Sequence, residues 1–168
     1  MGISHFEVRA TTEDDWQHVR ALRLEMIADT PHAYAETLAD ALSHDEAEWR
    51  MRGRRGTDGR GAALAAIDES GRWIGAMGGY STVATGPMLV GVYVTPEFRG
   101  RQVGVTDALL AGIEDWARTE SDRLTLHVHE DNARARAAYE HRGFVVTGAV
   151  IPYVLDTTQN ELEMIKQL

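Results

Sequence analysis

The 168-residue chain contains no cysteine, which removes thiolate catalysis, disulfide frameworks and zinc sites of the cysteine type from consideration. Nothing else in it points to a metal site. Lys166 is the only lysine among 17 lysines and arginines, so no P-loop lysine follows any glycine-rich loop, and an ATP site of that kind is disfavoured. No stretch approaches the roughly 20 apolar residues that span a bilayer, and MGISHFEVRATTEDD has no apolar segment of signal length. These absences lead us to expect a soluble cytoplasmic protein without a membrane partner.

What is abundant is negative charge. A net charge of −9 repels nucleic acid and anionic membranes and mildly attracts cationic substrates such as amines. The length suits one domain over residues 1–168 with a sizeable core. Arg50, Arg52, Arg54, Arg55 and Arg60 crowd one glycine-rich segment, read as a solvated loop in preference to a phosphate or partner contact.

Periodicity orders the chain. A strand at residues 5–10 precedes a helix capped by Thr11 or Thr12, with Trp16, Val19, Leu22, Arg23, Met26 and Ile27 on one stripe and an end before Pro31. Residues 31–42 are mixed, with Tyr34 and Glu36 most able to touch a ligand but read individually as parts of a surface helix turn. Ser43 and Glu46 form a capping-box pattern for a helix through Ala47, Trp49 and Met51. Strands at 62–67 and 73–82 flank the turn Asp68-Glu69-Ser70-Gly71, and Gly78 and Gly79 mark a bulge or a close backbone approach. Later come a helix with Val105, Leu109, Ile113 and Trp116 buried, a strand at 123–128, a helix at 132–142 capped by Asp131 and stopped at Gly143, and closing strands at 144–146 and 161–165.

The chemistry concentrates between Met88 and Thr106. A β-branched apolar run breaks at Pro96 and passes through Arg99, Gly100, Arg101, Gln102, Val103, Gly104 and Val105 into helical periodicity. Such a junction exposes amide N–H groups backed by the positive end of a helix dipole, and the two guanidinium groups can pair with phosphate oxygens. On the later helix, Asn132, Arg136 and Tyr139 recur at helical spacing, so all three can line one groove.

Together these segments resemble the Gcn5-related N-acetyltransferase (GNAT) superfamily. Arg99 and Gly104 match its RxxGxG signature, with Gln102 where most relatives have the first glycine. Asn132, Ala135, Tyr139, Gly143 and Phe144 match NxxAxxxYxxxGF. The resemblance implies an α/β (α+β) fold, a mostly antiparallel twisted sheet of about seven strands flanked by about four helices and splayed between the fourth and fifth strands.

It also implies an acetyl-CoA-dependent N-acetyltransferase acting directly on a primary amine of a small molecule or peptide. The alternative is a CoA-binding module of the same fold without turnover. Val92, Tyr93 and Val94 would meet the pantetheine as an added strand does. Amides from Arg99 to Thr106 would hold the pyrophosphate, and Asn132, Ala135 and Arg136 would complete the cofactor site. Tyr139 would protonate the leaving thiolate, and an N–H near Val94 would polarise the carbonyl. For the base, His127, His129, Glu130, Glu36, Tyr80 and water all remain open. Tyr153 and Asp156 can reach the cleft from a neighbouring subunit if the protein is a homodimer.

Overall fold

The computed structural model describes residues 5–168. β1 (Phe6–Ala10) leads to Thr12, whose N–H donates to the Asp15 carboxylate at 2.8 Å. A short 3-10 turn at Glu13–Asp15 then opens α1 (Trp16–Asp29), which buries Leu22, Met26 and Ile27. Arg9 also grips Asp15 and holds its carboxyl down at about 2. The helix ends before Pro31 as the sequence requires, because proline has no N–H to continue it.

The segment read as mixed contains a 3-10 turn at Pro31–Ala33 and a short helix, α2 (Leu38–Ser43). Its capping box is Thr37 with Asp40, and the Ser43 hydroxyl closes the same helix by donating to the Asp40 carbonyl at 2.6 Å. Ser43 is therefore unavailable to start the next helix. α3 (Glu46–Arg54) is capped instead by Asp45, which accepts from the Glu48 N–H at 3.0 Å. The arginine-rich segment is accordingly helical in its first half. Arg50 pairs with Glu46, and Arg54 with Glu13.

Seven strands form one sheet in the order β1-β2-β3-β4-β5-β7-β6. β2 (Gly61–Asp68), β3 (Trp73–Thr82) and β4 (Gly86–Val94) pair antiparallel in succession. Both expectations for the paired glycines hold: the β3/β4 register shifts between Ala76 and Gly78, and a Cβ at Gly79 would come within 2.3 Å of the Trp116 ring. α4 (Val105–Arg118) crosses one face of the sheet to β5 (Arg123–His129), which lies parallel to β4. α5 (Ala133–Glu140) follows, capped by Asn132 rather than Asp131: Asn132 Oδ1 accepts from the Ala135 N–H at 3.2 Å.

The closing strands are longer than the apolar pattern indicates. β6 (Val145–Tyr153) and β7 (Asp156–Gln167) make a hairpin where a connection was expected. β6 is an exposed edge strand, so burial imposes little alternation on it. Among the described residues five α-helices thus flank the sheet where about four were expected, α2 being the addition. Among the described residues no helix is long and apolar enough to cross a membrane.

Two apolar clusters lie on opposite faces of the sheet. One joins Leu109, Leu110 and Ile113 of α4 to Leu124, Leu126 and Met164. The other joins α1 and Trp49 of α3 to Ala65, Trp73 and Tyr93. Beneath α1 and α3, Glu36 is buried rather than on a surface turn. Arg23 donates to it at 2.8 Å, Arg52 at 2.9 and 3.0 Å, and His44 sits 2.7 Å away. Burial opposes ionisation there, but these partners together hold the carboxyl at about 2, below the ordinary 4.5. A depressed carboxyl stabilises the fold fully above its unfolded pKa and loses that contribution as pH falls toward the folded value. Glu36→Gln is expected to lower stability at pH 7 by about 3 kcal/mol. Urea unfolding should show this deficit shrinking as pH drops from about 4.5 toward 2.

Candidate active site

β4 and β5 share a single pairing, Met88 with Thr125. Beyond it they diverge, while β4 stays bonded to β3 and β5 to β7. A cavity of about 450 Å³ occupies the gap and opens to both faces of the sheet. Thr106, Leu110, Asn132 and Tyr139 line it on the α4 and α5 side, and Tyr34 and His129 on the other.

At the end of β4 the chain turns through Pro96–Phe98 to the loop before α4. Gly100 and Gly104 have φ of 111° and 82°, in the left-handed region that favours glycine. Gln102 does not, because no non-glycine residue described has positive φ; its side chain is exposed, and the departure from the signature carries no backbone strain. Among the described residues the N–H groups from Arg101 to Asp107 find no acceptor, and they sit at the N-terminus of a 14-residue helix. That row includes Gln102, Val103, Gly104, Val105 and Thr106, and it is a site for an anion.

The arginines divide differently from expectation. Arg99 turns back, donating to the Val94 carbonyl at 2.7 Å and pairing with Asp29, so its guanidinium braces the loop. Arg101 is exposed, with one 3.3 Å bond to the His141 carbonyl.

On β4, the Thr95 N–H donates to Ile74 of β3, so by strand alternation Tyr93 addresses β3 while Val92 and Val94 turn their main-chain groups to the gap. Their carbonyls are already engaged, Val92 by the Tyr34 hydroxyl at 2.9 Å and Val94 by Arg99. The N–H groups of Val92 and Val94 are what remains for a ligand. Tyr34, read as surface, is buried.

On α5, Asn132, Ala135 and Tyr139 line the cavity. Arg136 does not, and bonds Glu140 at 3.0 Å. The Tyr139 ring packs edge-on against Phe144, centroids 5.6 Å apart, and burial pushes its hydroxyl pKa up. The hydroxyl therefore stays protonated at neutral pH, the state of a proton donor.

Residues 20–144 match the model of the acetyltransferase (GNAT) family. The chain belongs to that family. No curated protein matches it significantly in sequence. The protein yncA from Salmonella typhimurium, solved with its cofactor acetyl-CoA, superposes with a TM-score of 0.75 at 19% identity, covering 98% of this chain and 95% of that one. A ribosomal-protein-alanine N-acetyltransferase from Brucella melitensis gives 0.72 at 25% identity over 96% and 99% of the two chains. A spermidine N-acetyltransferase from Vibrio cholerae, in complex with CoA and spermine, gives 0.72 at 18% identity over 96% and 95%.

For this GNAT chain the geometry sorts the candidate bases. Glu36 is occupied by Arg23, Arg52 and His44. His129 is buried, with Nε2 at 2.6 Å from Gln159 Oε1 and Nδ1 accepting from the Asp131 N–H, so both ring nitrogens are engaged. Glu130 bonds Asn160 at the surface, and Tyr80 is 48% exposed at the cavity wall. His127 lines the cavity with Nε2 3.4 Å from Glu163.

Sequence reasoning missed Glu161, which also lines the cavity, opposite His129 in the β5/β7 register. It is partly buried with no side-chain partner among the described residues, and burial raises its carboxyl above the ordinary 4.5. Its signal was hidden because a strand glutamate turned toward a cavity looks, in sequence, like one turned toward solvent.

Tyr153 reaches the cleft within its own chain, its hydroxyl donating to the Tyr34 carbonyl at 2.7 Å, while Asp156 accepts from Thr158 at the β6/β7 turn. Neither needs a second subunit to hold its position. Tyr34→Phe leaves the Val92 carbonyl without its protein donor and is expected to cost about 1 kcal/mol in urea unfolding.

Proposed function

We propose that the protein is an acetyl-CoA-dependent N-acetyltransferase that moves the acetyl group directly to a primary amine of a small molecule or peptide. The observation that carries this is the row of free N–H groups from Arg101 to Asp107, opening onto a split sheet beside a protonated tyrosine. The row fits a diphosphate, and Gly104, with nothing within 4 Å of a Cβ position, leaves room for it. The N–H groups of Val92 and Val94 fit an extended pantetheine arm, to which Asn132 adds its free side-chain NH₂. Acetyl-CoA is found in the Salmonella relative and CoA in the Vibrio one.

In the reaction the amine nitrogen bonds the acetyl carbon as the carbon–sulfur bond breaks. The Val94 N–H stabilises the charge that builds on the carbonyl oxygen. Tyr139 gives its proton to the departing thiolate and is reprotonated by the second proton, which the nitrogen sheds as the amide forms. Glu161 takes up the proton that the acceptor ammonium must lose. His127 and His129 on β5 and Tyr153 on β6 are the titratable groups that act on it, and His32 of the 3-10 turn packs on His129. The two histidines oppose the rise that burial causes in Glu161.

Because the chain has no cysteine, CoA thiol released over a panel of amines can be titrated without a protein background. Absence of release with every amine, alongside tight CoA binding, would leave a binding module. Tyr139→Phe is expected to keep CoA affinity and lower kcat by roughly 100-fold. For Glu161, which acts ionised, kcat/KM should climb with pH through its raised pKa. Glu161→Gln should remove that acid limb and slow turnover by roughly 100-fold, whereas a purely structural role would leave the limb in place.

A further inference from the structure

A second cavity, of about 490 Å³, lies between the sheet and the helices α1 and α3. Val19, Leu22, Met26, Trp73 and Ala76 give it an apolar floor. It adjoins the first cavity at Arg23, Met77, Tyr80, Val90 and Gly91, which line both. The two are therefore neighbours, the second lying on the face of the sheet opposite α4.

Its charge is opposite to that of the protein. In a chain of net charge −9, Arg23, Arg52, Arg55 and Arg60 line this cavity with Asp58, and Glu36 and Glu48 stand behind Arg23 and Arg52, so four cations meet three carboxylates. Arg52 is saturated, with Glu48 on Nε and Glu36 on both terminal nitrogens. Arg23 spends only Nε on Glu36 and keeps its two terminal nitrogens free. Arg55 lines the cavity, is exposed, and has no carboxylate within 4 Å among the described residues. Desolvation and repulsion from Arg52 lower its pKa, with a smaller push from Arg23, against opposing pulls from Glu48 and Asp58. Trp49, in the same lining, has a buried indole N–H with no acceptor among the described residues.

A guanidinium left without a paired anion beside other cations is unfavourable in the free protein. They are favourable once an oxyanion arrives, because guanidinium forks pair with carboxylate or phosphate in two parallel bonds. We infer that this second cavity is the tail pocket of the acceptor and receives an oxyanion, a carboxylate or a phosphate, on Arg55 and the free end of Arg23. The acceptor is then a zwitterionic amine: its ammonium lies toward Glu161 in the first cavity and its anionic group lies under α3, with an apolar spacer between them. Polyamines are excluded, because their second cation would meet Arg55. The inference rests on the proposed transferase function and narrows its acceptor.

The test compares free amino acids, dipeptides, ω-amino carboxylic acids and aminoalkyl phosphates with their amides or alcohols and with spermidine. Each is measured twice, by CoA thiol release and by calorimetric titration into the protein–CoA complex. We expect an anionic member to bind and turn over with kcat/KM at least tenfold above its neutral counterpart. The carboxylate and phosphate arms identify which oxyanion is taken. Arg55→Gln should raise the KM of that acceptor roughly tenfold to a hundredfold, leave the KM of acetyl-CoA unchanged, and not lower the unfolding midpoint, since it relieves repulsion. Arg55→Lys should recover part of the loss. Equal use of charged and neutral amines, preference for spermidine, or an unchanged acceptor KM in Arg55→Gln would overturn the inference while leaving the transferase function intact. Thiol release from no amine would count against the function. Calorimetry would still decide the pocket, which fails if no anionic amine binds or if binding survives Arg55→Gln.

Discussion

Two parallel strands that share one backbone pairing leave main-chain groups along their facing edges without sheet partners, and in water-excluding surroundings those groups must be satisfied some other way. The structure does this with side chains that hold the gap open. Tyr34 takes the Val92 carbonyl, Arg99 takes the Val94 carbonyl, and Tyr153 reaches from β6 to the Tyr34 carbonyl. Each brace uses an acceptor and leaves the N–H groups of β4 uncommitted. The same economy appears at α4, where Gly100 and Gly104 bring the chain into the helix with its first amides free. The site is thus a surplus of donors, suited to the carbonyl and phosphate oxygens of an acetyl carrier.

Glu36 shows how the rest of the fold serves that geometry. It ties α1 to α3 through Arg23 and Arg52, and so fixes the helices that roof the path away from the gap. Glu36, Glu48 and Asp58 together fall one charge short of the four guanidinium ions gathered there. The remainder gives an acidic protein a local positive pocket, and local charge outweighs net charge in choosing a ligand at short range.

Much of this was legible in the sequence wherever a local rule governs the local outcome. Pro31, the Asp68–Gly71 turn, the bulge at Gly78 and the α4 stripe of Val105, Leu109 and Ile113 all followed from backbone chemistry and periodicity. The split between β4 and β5 was implied only by the resemblance to a family, since no local pattern marks two strands that part. What escaped depended on partners distant in sequence. Arg99 resembled a phosphate ligand until Asp29 claimed it, and Arg52 resembled a loop cation until Glu36 did. Glu161 was invisible because β7 draws its polar face from a cavity, where solvent and core do not impose a simple alternation.

The central claim is that free amides at the start of α4 grip the diphosphate of the acetyl carrier. Amide proton–nitrogen spectra recorded while CoA is titrated test this most directly. The account predicts that the N–H resonances from Arg101 to Asp107 move furthest, and that dephospho-CoA, which keeps the diphosphate but lacks the 3′-phosphate, moves the same set. Saturable CoA binding with those resonances unmoved would contradict it.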